Sequence, residues 1–204
     1  PKKMSGFPSS KRTPSWCQQR INRMRSFLLV ILTVLATQAC SESDAILKDA
    51  IDAVDANVVF MRHAVAPGFG DPDNFSLSDC STQRNLDTRG RKQARAIGAS
   101  IQKNGIRFDQ ILSSEWCRCK ETVQLLGIGQ WQTFSGLNSF FQNYADKTKT
   151  LRELELKLKS KDGGMMFLVT HQVVIRAATG ASVASGELVA FNSVSQQKKI
   201  FRLD

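Results

Sequence analysis

The chain has 204 residues, 42% of them apolar and 23% charged, the make-up of an ordinary globular protein and not of a disordered, collagen-like or disulfide-scaffold chain. The length fits a single α/β domain. The formal net charge of +10 sits at one end: residues 1–40 hold seven basic residues and no acid, leaving 21 basic against 18 acidic residues over 41–204. A body so close to neutral excludes a nucleic-acid surface built on bulk charge.

In chain order, the first feature is Phe27–Ala36 (FLLVILTVLA), ten uncharged residues after Arg23 and Arg25 and before Ala39 and Cys40. Ten residues of helix cover about 15 Å, half of a bilayer core, so this is no transmembrane span. Basic flank, short apolar run and small residue are the parts of a secretory signal. Met24 is the plausible start, residues 1–40 are extension plus signal, and 41–204 form the functional domain. Cys40 stands where a lipoprotein carries its lipidated cysteine, with Thr37 in place of the usual Leu, so a lipid anchor there is a candidate. Export places the domain in the periplasm, or on a membrane facing it. With Cys17 and Cys40 in or at the discarded segment, Cys80, Cys117 and Cys119 remain. Cys117 and Cys119, two apart on a helix, diverge, so Cys80 is expected to pair with one or the other in an oxidising compartment. Their spacing matches no common zinc pattern, and neither metal nor cofactor is expected.

Ile46–Val54 has helical spacing and leads into Asn57–Met61 (NVVFM), a buried strand. Residues 66–86, with Pro67, Gly68, Gly70, Pro72 and Asn74, read as a long loop. A helix is predicted from Asp87 or Thr88 to about Asn104, with Gly105 as its stop. Phe108–Leu112 is a second strand, and Ser113 or Ser114 is expected to cap a helix through Leu126. Leu137, Phe140, Phe141, Tyr144, Leu151, Leu154 and Leu158 predict one long amphipathic helix closed by Gly163-Gly164. Met165–Thr170 (MMFLVT) is a third strand, Gln172–Thr179 a short helix, and Glu187–Phe191 and Lys199–Leu203 final strands. Alternating β and α elements predict an α/β fold, a three-layer α/β/α sandwich around a mainly parallel sheet.

The sequence has only two histidines, and both end apolar strands: His63 after NVVFMR, His171 after MMFLVT. In open α/β sheets that edge is where ligands bind. Arg62 adjoins His63, and Arg118 follows the strand DQILSS, so separate strand ends deliver two imidazoles and two guanidiniums to one rim. Guanidinium forks suit a phosphate dianion, and a neutral imidazole can attack phosphorus while the forks hold charge on its oxygens.

At these residues the chain resembles the histidine phosphatase superfamily, which includes the phosphoglycerate mutases. Arg62-His63-Ala64 is similar to its RHG/RHA signature. Asn85-Leu86 with Gly90, Gln93 and Ala94 resembles its loop-to-helix passage, SSEWCRCKET its second-arginine segment, and LVTHQ the strand that ends in its second histidine. The resemblance runs from about Asn57 to Phe191. It implies a phosphoglycerate mutase-like fold and hydrolysis of a phosphate monoester. His63 would be the nucleophile, forming a phosphohistidine, while Arg62, Arg118 and His171 bind the phosphoryl group.

Two departures stand out. One branch of the family has a glutamate proton donor in a segment that here reads GLNSFFQNYADKTK, without glutamate. The other has Asp after the second histidine, where Gln172 stands. Glu115, Asp71, Asp73 and Asp79 are the remaining donor candidates, each with solvated-acid or helix-capping as the competing role. A leaving group that departs easily needs no donor. Arg84 and Asn85 are candidate substrate contacts, and the loops Ala66–Arg84 and Trp131–Phe141 offer Phe69, Phe75, Trp131, Phe134 and Asn138 at the rim. The expected substrate is a phosphorylated small molecule or a cell-envelope glycan. The alternative is a non-catalytic envelope lipoprotein that binds an anionic ligand at a decayed phosphatase site.

Overall fold

The computed structural model describes residues 42–160 and 164–203. The stretch expected to be an export signal, Cys17, Cys40 and Gly163 lie outside them. Two strands set the middle of the fold. β1 (Val58–Arg62) and β4 (Met166–Thr170) are buried along nearly their whole length, which is why each reads as a continuous apolar run. They pair in parallel with Arg62 opposite Thr170.

Around them lies a six-stranded sheet in the order β3-β2-β4-β1-β5-β6, with β2 at Gln110–Ser113, β3 at Gln132–Thr133, β5 at Leu188–Phe191 and β6 at Lys198–Phe201. The pairs β3–β2, β2–β4 and β4–β1 are parallel. β5 and β6 close the other side antiparallel.

The two faces of β1 separate the core. Val59 and Met61 join one apolar cluster with Leu47, Ile97, Ile101, Val123 and Leu126. These come from helices α1 (Glu42–Asp52), α2 (Thr88–Lys103) and α3 (Cys117–Leu126). Val58 and Phe60 join the other cluster with Leu154, Val174 and Ile175, from α4 (Lys147–Lys159) and α5 (Gln172–Thr179). The result is a three-layer α/β/α sandwich.

Asp87 caps α2 by accepting from the Gly90 N–H at 2.7 Å, and Gly180, at φ 70°, ends α5. Two other sequence expectations are corrected. Neither Ser113 nor Ser114 caps α3: its N-cap is Trp116, with no side-chain cap bond, and both serine hydroxyls are spent on groups nearer the strand ends. The long helix from Leu137 is also absent. Leu137 ends one 3-10 turn and Phe141–Asn143 form another. Gln142 and Asn143 adopt φ of 60° and 63°, which no continuous right-handed helix accepts. The helix starts only at Lys147, where Asp146 accepts from the Lys149 N–H at 2.7 Å. The apolar residues of 137–144 pack at helix-like intervals without being helical.

Cys80 and Cys117 are disulfide-bonded with Cα atoms 5.7 Å apart, and Cys119 is free and buried. The bond ties the loop after β1 to the first residue of α3 across a sequence separation of 37. Closing a loop of that size restricts the unfolded chain by about 3–4 kcal/mol. Replacing both cysteines by alanine should lower the unfolding free energy by that amount in denaturant titrations; an unchanged midpoint would contradict it.

Candidate active site

The strand register places the two histidines. Each follows directly on its strand, and the His63 N–H donates to the Thr170 carbonyl at 2.9 Å. The buried imidazoles consequently face each other with centroids 5.4 Å apart. Arg118 enters from the first turn of α3, and its terminal nitrogens form a fork onto Asp71, Nη1 to Oδ1 at 2.7 Å and Nη2 to Oδ2 at 3.1 Å. Trp116 Nε1 and the Arg84 backbone N–H also donate to that carboxylate. Burial alone raises the Asp71 pKa, yet the fork and these further donors hold it below the ordinary aspartate value.

His63, Arg62, Arg118 and His171 line one cleft of about 460 Å³, together with Arg84, Arg89, Phe69, Phe141 and the first residues of α5, Gln172 and Val173. Arg62 Nη1 donates to the Val183 carbonyl. The Nε atoms of Arg62 and Arg118 are buried without a hydrogen-bond partner among the described residues. Burial, then the charge of Arg118, lowers the pKa of both Arg62 and Arg84. A crowd of cations with unspent donors is arranged to receive an anion.

The tautomers of both rings follow from their partners. His63 Nδ1 lies 2.8 Å from the Ala64 carbonyl. A carbonyl only accepts, so Nδ1 carries the proton and Nε2 keeps its lone pair. For His171 the constraint arrives along a chain. The Glu115 carboxylate accepts from Asn138 Nδ2, which turns Asn138 Oδ1 toward Ser114. The Ser114 hydroxyl donates to it at 3.1 Å. His171 Nε2, 3.0 Å from Ser114 Oγ, is then the donor, and Nδ1 accepts from Arg118 Nη2 at 3.4 Å. Burial, followed by the charge of Arg118, pushes the pKa of both rings well below that of free histidine.

The loop after His63 is held by other polar side chains. Thr122 Oγ1 accepts from the Ala64 N–H, and Gln93 Oε1 from the Val65 N–H. A Cβ on Gly90 would stand 2.0 Å from the Val65 carbonyl oxygen, so only glycine lets α2 approach this closely. The Cys119 thiol lies 3.5 Å from His171 Nε2, and burial pushes its pKa up to about 12, which leaves no thiolate for chemistry.

The donor candidates do not reach the cleft, whose described lining holds no carboxylate. Glu115 ends the His171 chain, Asp71 is committed to Arg118, and Asp79 is exposed and accepts from the Ser81 N–H at 2.9 Å. Asp73 is exposed as well. Arg84 reaches the cleft, but its guanidinium donates to the Gly70 and Ala66 carbonyls. Asn85 is away from the lining, with its amide given to the Cys80 and Gln83 carbonyls. Of Phe69, Phe75, Trp131 and Phe134, the aromatics expected at the rim, only Phe69 lines the cleft. Phe75 stacks on Trp116 and Tyr144, while Trp131 and Phe134 pack on the core clusters. Ser114 and Asn138, expected as a helix cap and a rim contact, are instead buried in the His171 chain, and Thr122 carried no signal, since no local pattern marks a polar residue as buried.

Residues 58–149 match the family described as the histidine phosphatase superfamily (branch 1). Among solved structures, the phosphoserine phosphatase of Entamoeba histolytica, in complex with 3-phosphoglyceric acid, is 14% identical with a TM-score of 0.50, over 70% of this chain and 93% of that one. The protein histidine phosphatase SixA, complexed with tungstate, is 15% identical with a TM-score of 0.49, over 71% and 93%. The α-ribazole phosphatase of Shigella flexneri is 15% identical with a TM-score of 0.49, over 72% and 95%. A comparison with curated protein sequences gives no match.

The depressed histidine pKa values have a consequence for stability. Both rings stay neutral in the fold while the unfolded chain binds protons near pH 6.5. Stability is therefore full above that value and falls as pH drops through it, by up to roughly 1 kcal/mol per pH unit for each ring. Asp71, held below the ordinary aspartate value by its donors, does not enter this window. Denaturant unfolding at pH 7.5 and 5.5 should give a lower free energy at pH 5.5, with a smaller drop in His171→Gln. Equal values for the native chain would contradict the buried neutral rings.

Proposed function

We propose that this chain, which carries the histidine phosphatase superfamily (branch 1) segment over residues 58–149, is a phosphatase working through a phosphohistidine. The observation that carries the reading is the cleft itself. Two neutral imidazoles meet buried guanidinium nitrogens that have no hydrogen-bond partner among the described residues. His63 Nε2, its lone pair free, attacks phosphorus, and the P–O bond to the leaving group breaks as the N–P bond forms. Arg62 and Arg118 stabilise the charge on the phosphoryl oxygens, and His171 stands beside them. Water then attacks the phosphohistidine, releasing phosphate and restoring the ring.

The absence of a carboxylate from the described cleft lining bears on the substrate. With no acid to protonate it, the leaving group must depart as a weak base. Aryl phosphates, acyl phosphates and diphosphates meet that condition better than simple alkyl esters. For a cell-envelope glycan, the same reasoning favours a diphosphate over a sugar monoester. We place the protein in the periplasm, or at a membrane facing it through Cys40. Support comes from the export signal read in residues 24–40 and from the Cys80–Cys117 bond, which suits an oxidising compartment. The missing acid also suits a lipoprotein that binds an anion without turning it over, and turnover separates the two readings.

His63→Ala should abolish hydrolysis of p-nitrophenyl phosphate and remove the acid-labile phosphoenzyme seen on rapid quenching. Arg118→Ala should lower kcat/KM by on the order of 100-fold. A chelator should leave the rate unchanged. Wild-type rates in His63→Ala would overturn the mechanism, and a native protein that binds phosphate but never turns it over would favour the binding role.

A further inference from the structure

Arg89 is a cation without a match. It is exposed and is the second residue of α2, whose first turn holds no acid. A positive charge there opposes the positive end of the helix dipole. Its neighbour Arg91 pairs with Glu121, whereas Arg89 makes no ion pair among the described residues. Its side chain lines the cleft that contains the two histidines.

The mouth of that cleft carries a second unmatched feature. Phe69 is 89% exposed, the highest value for a large apolar side chain among the described residues. It is not loosely displayed. Gln142 accepts from the Asp71 N–H at 2.8 Å and Arg84 Nε donates to the Gly70 carbonyl at 2.8 Å, pinning the loop on which Phe69 stands. Its ring meets Phe141 edge-to-face with centroids 5.1 Å apart, and both rings line the cleft. A fixed, wetted aromatic pair on a pocket rim gains only when an apolar surface covers it.

Charge bookkeeping gives the exposed arginine its role. Four arginines line the cleft, and Asp71 offsets Arg118 from behind. Three positive charges remain, one more than a phosphoryl dianion neutralises, and Arg89, the one exposed arginine of the four, is left over. We propose, resting on the phosphoryl-pocket reading above, that Arg89 with Phe69 and Phe141 forms a leaving-group subsite. It selects substrates whose departing part carries a second negative charge beside an apolar ring face.

The test is calorimetric titration of the full chain with inorganic phosphate, 4-carboxybenzylphosphonate and the methyl ester of that carboxylate. The wild type should bind the carboxylate about fivefold more tightly than its ester, the size of one favourable exposed ion pair. Arg89→Ala should bring that preference close to one, and Arg89→Lys should retain part of it. Phe69→Ala should weaken both phosphonates about threefold relative to inorganic phosphate. A preference that survives in Arg89→Ala or is absent from the wild type, phosphate binding without phosphonate binding, or an inert Phe69→Ala would each overturn the subsite. Failure of the wild type to bind even inorganic phosphate would overturn the pocket reading, and the subsite with it.

Discussion

The buried fork between Arg118 and Asp71 is the contact on which the rest of the site depends. Taking both charges out of water is costly, and such pairs often contribute little net stability. Here the pair has a different use. An unopposed Arg118 would stand in a buried space already shared with Arg62, Arg84 and two imidazoles, whose pKa values are lowered by burial first and by its charge second. Asp71 cancels that charge from behind and engages both terminal nitrogens, while Nε stays without a partner. The same carboxylate draws in Trp116 and the Arg84 N–H, so the loop after β1 and the start of α3 are fastened at one point. The Cys80–Cys117 bond fastens them again nearby.

The sheet supplies what the ion pair cannot. Parallel pairing of β1 and β4 at matched register brings His63 and His171 to the same edge. Ser114, at the end of the neighbouring parallel strand β2, is level with them through its N–H to the Val169 carbonyl. Three strand ends thus define the positions of the proposed nucleophile, a second imidazole and the serine that fixes its tautomer. The chain through Asn138 to Glu115 makes that tautomer a consequence of hydrogen-bond direction, since each partner has only one compatible role.

Much of this was legible in the sequence because it is written locally. Apolar runs marked β1 and β4, and the residue following each run fixed the histidines. The end of α3 at Leu126 and the extent of α5 were readable as well. The errors arose where local pattern and tertiary packing diverge. Leu137 to Tyr144 repeat at helical intervals, yet the chain turns twice through positive φ to deliver Phe141 and Gln142 to the loop opposite. Asp71 read as a proton-donor candidate or a solvated acid because its partner lies 47 residues away. Glu115 and Asn138 read as acid and rim contact because nothing in their neighbourhood signals a buried relay.

On the proposed function, Asp71 and Arg118 act as one unit to hold the phosphoryl group. A double-mutant cycle on inorganic phosphate affinity, using Asp71→Asn, Arg118→Ala and the combination, tests it most directly. Unit behaviour predicts that Asp71→Asn weakens phosphate in the native chain and has almost no further effect once Arg118 is gone. Losses that simply add would contradict it, because Asp71 would then act on phosphate independently of the arginine it is paired with.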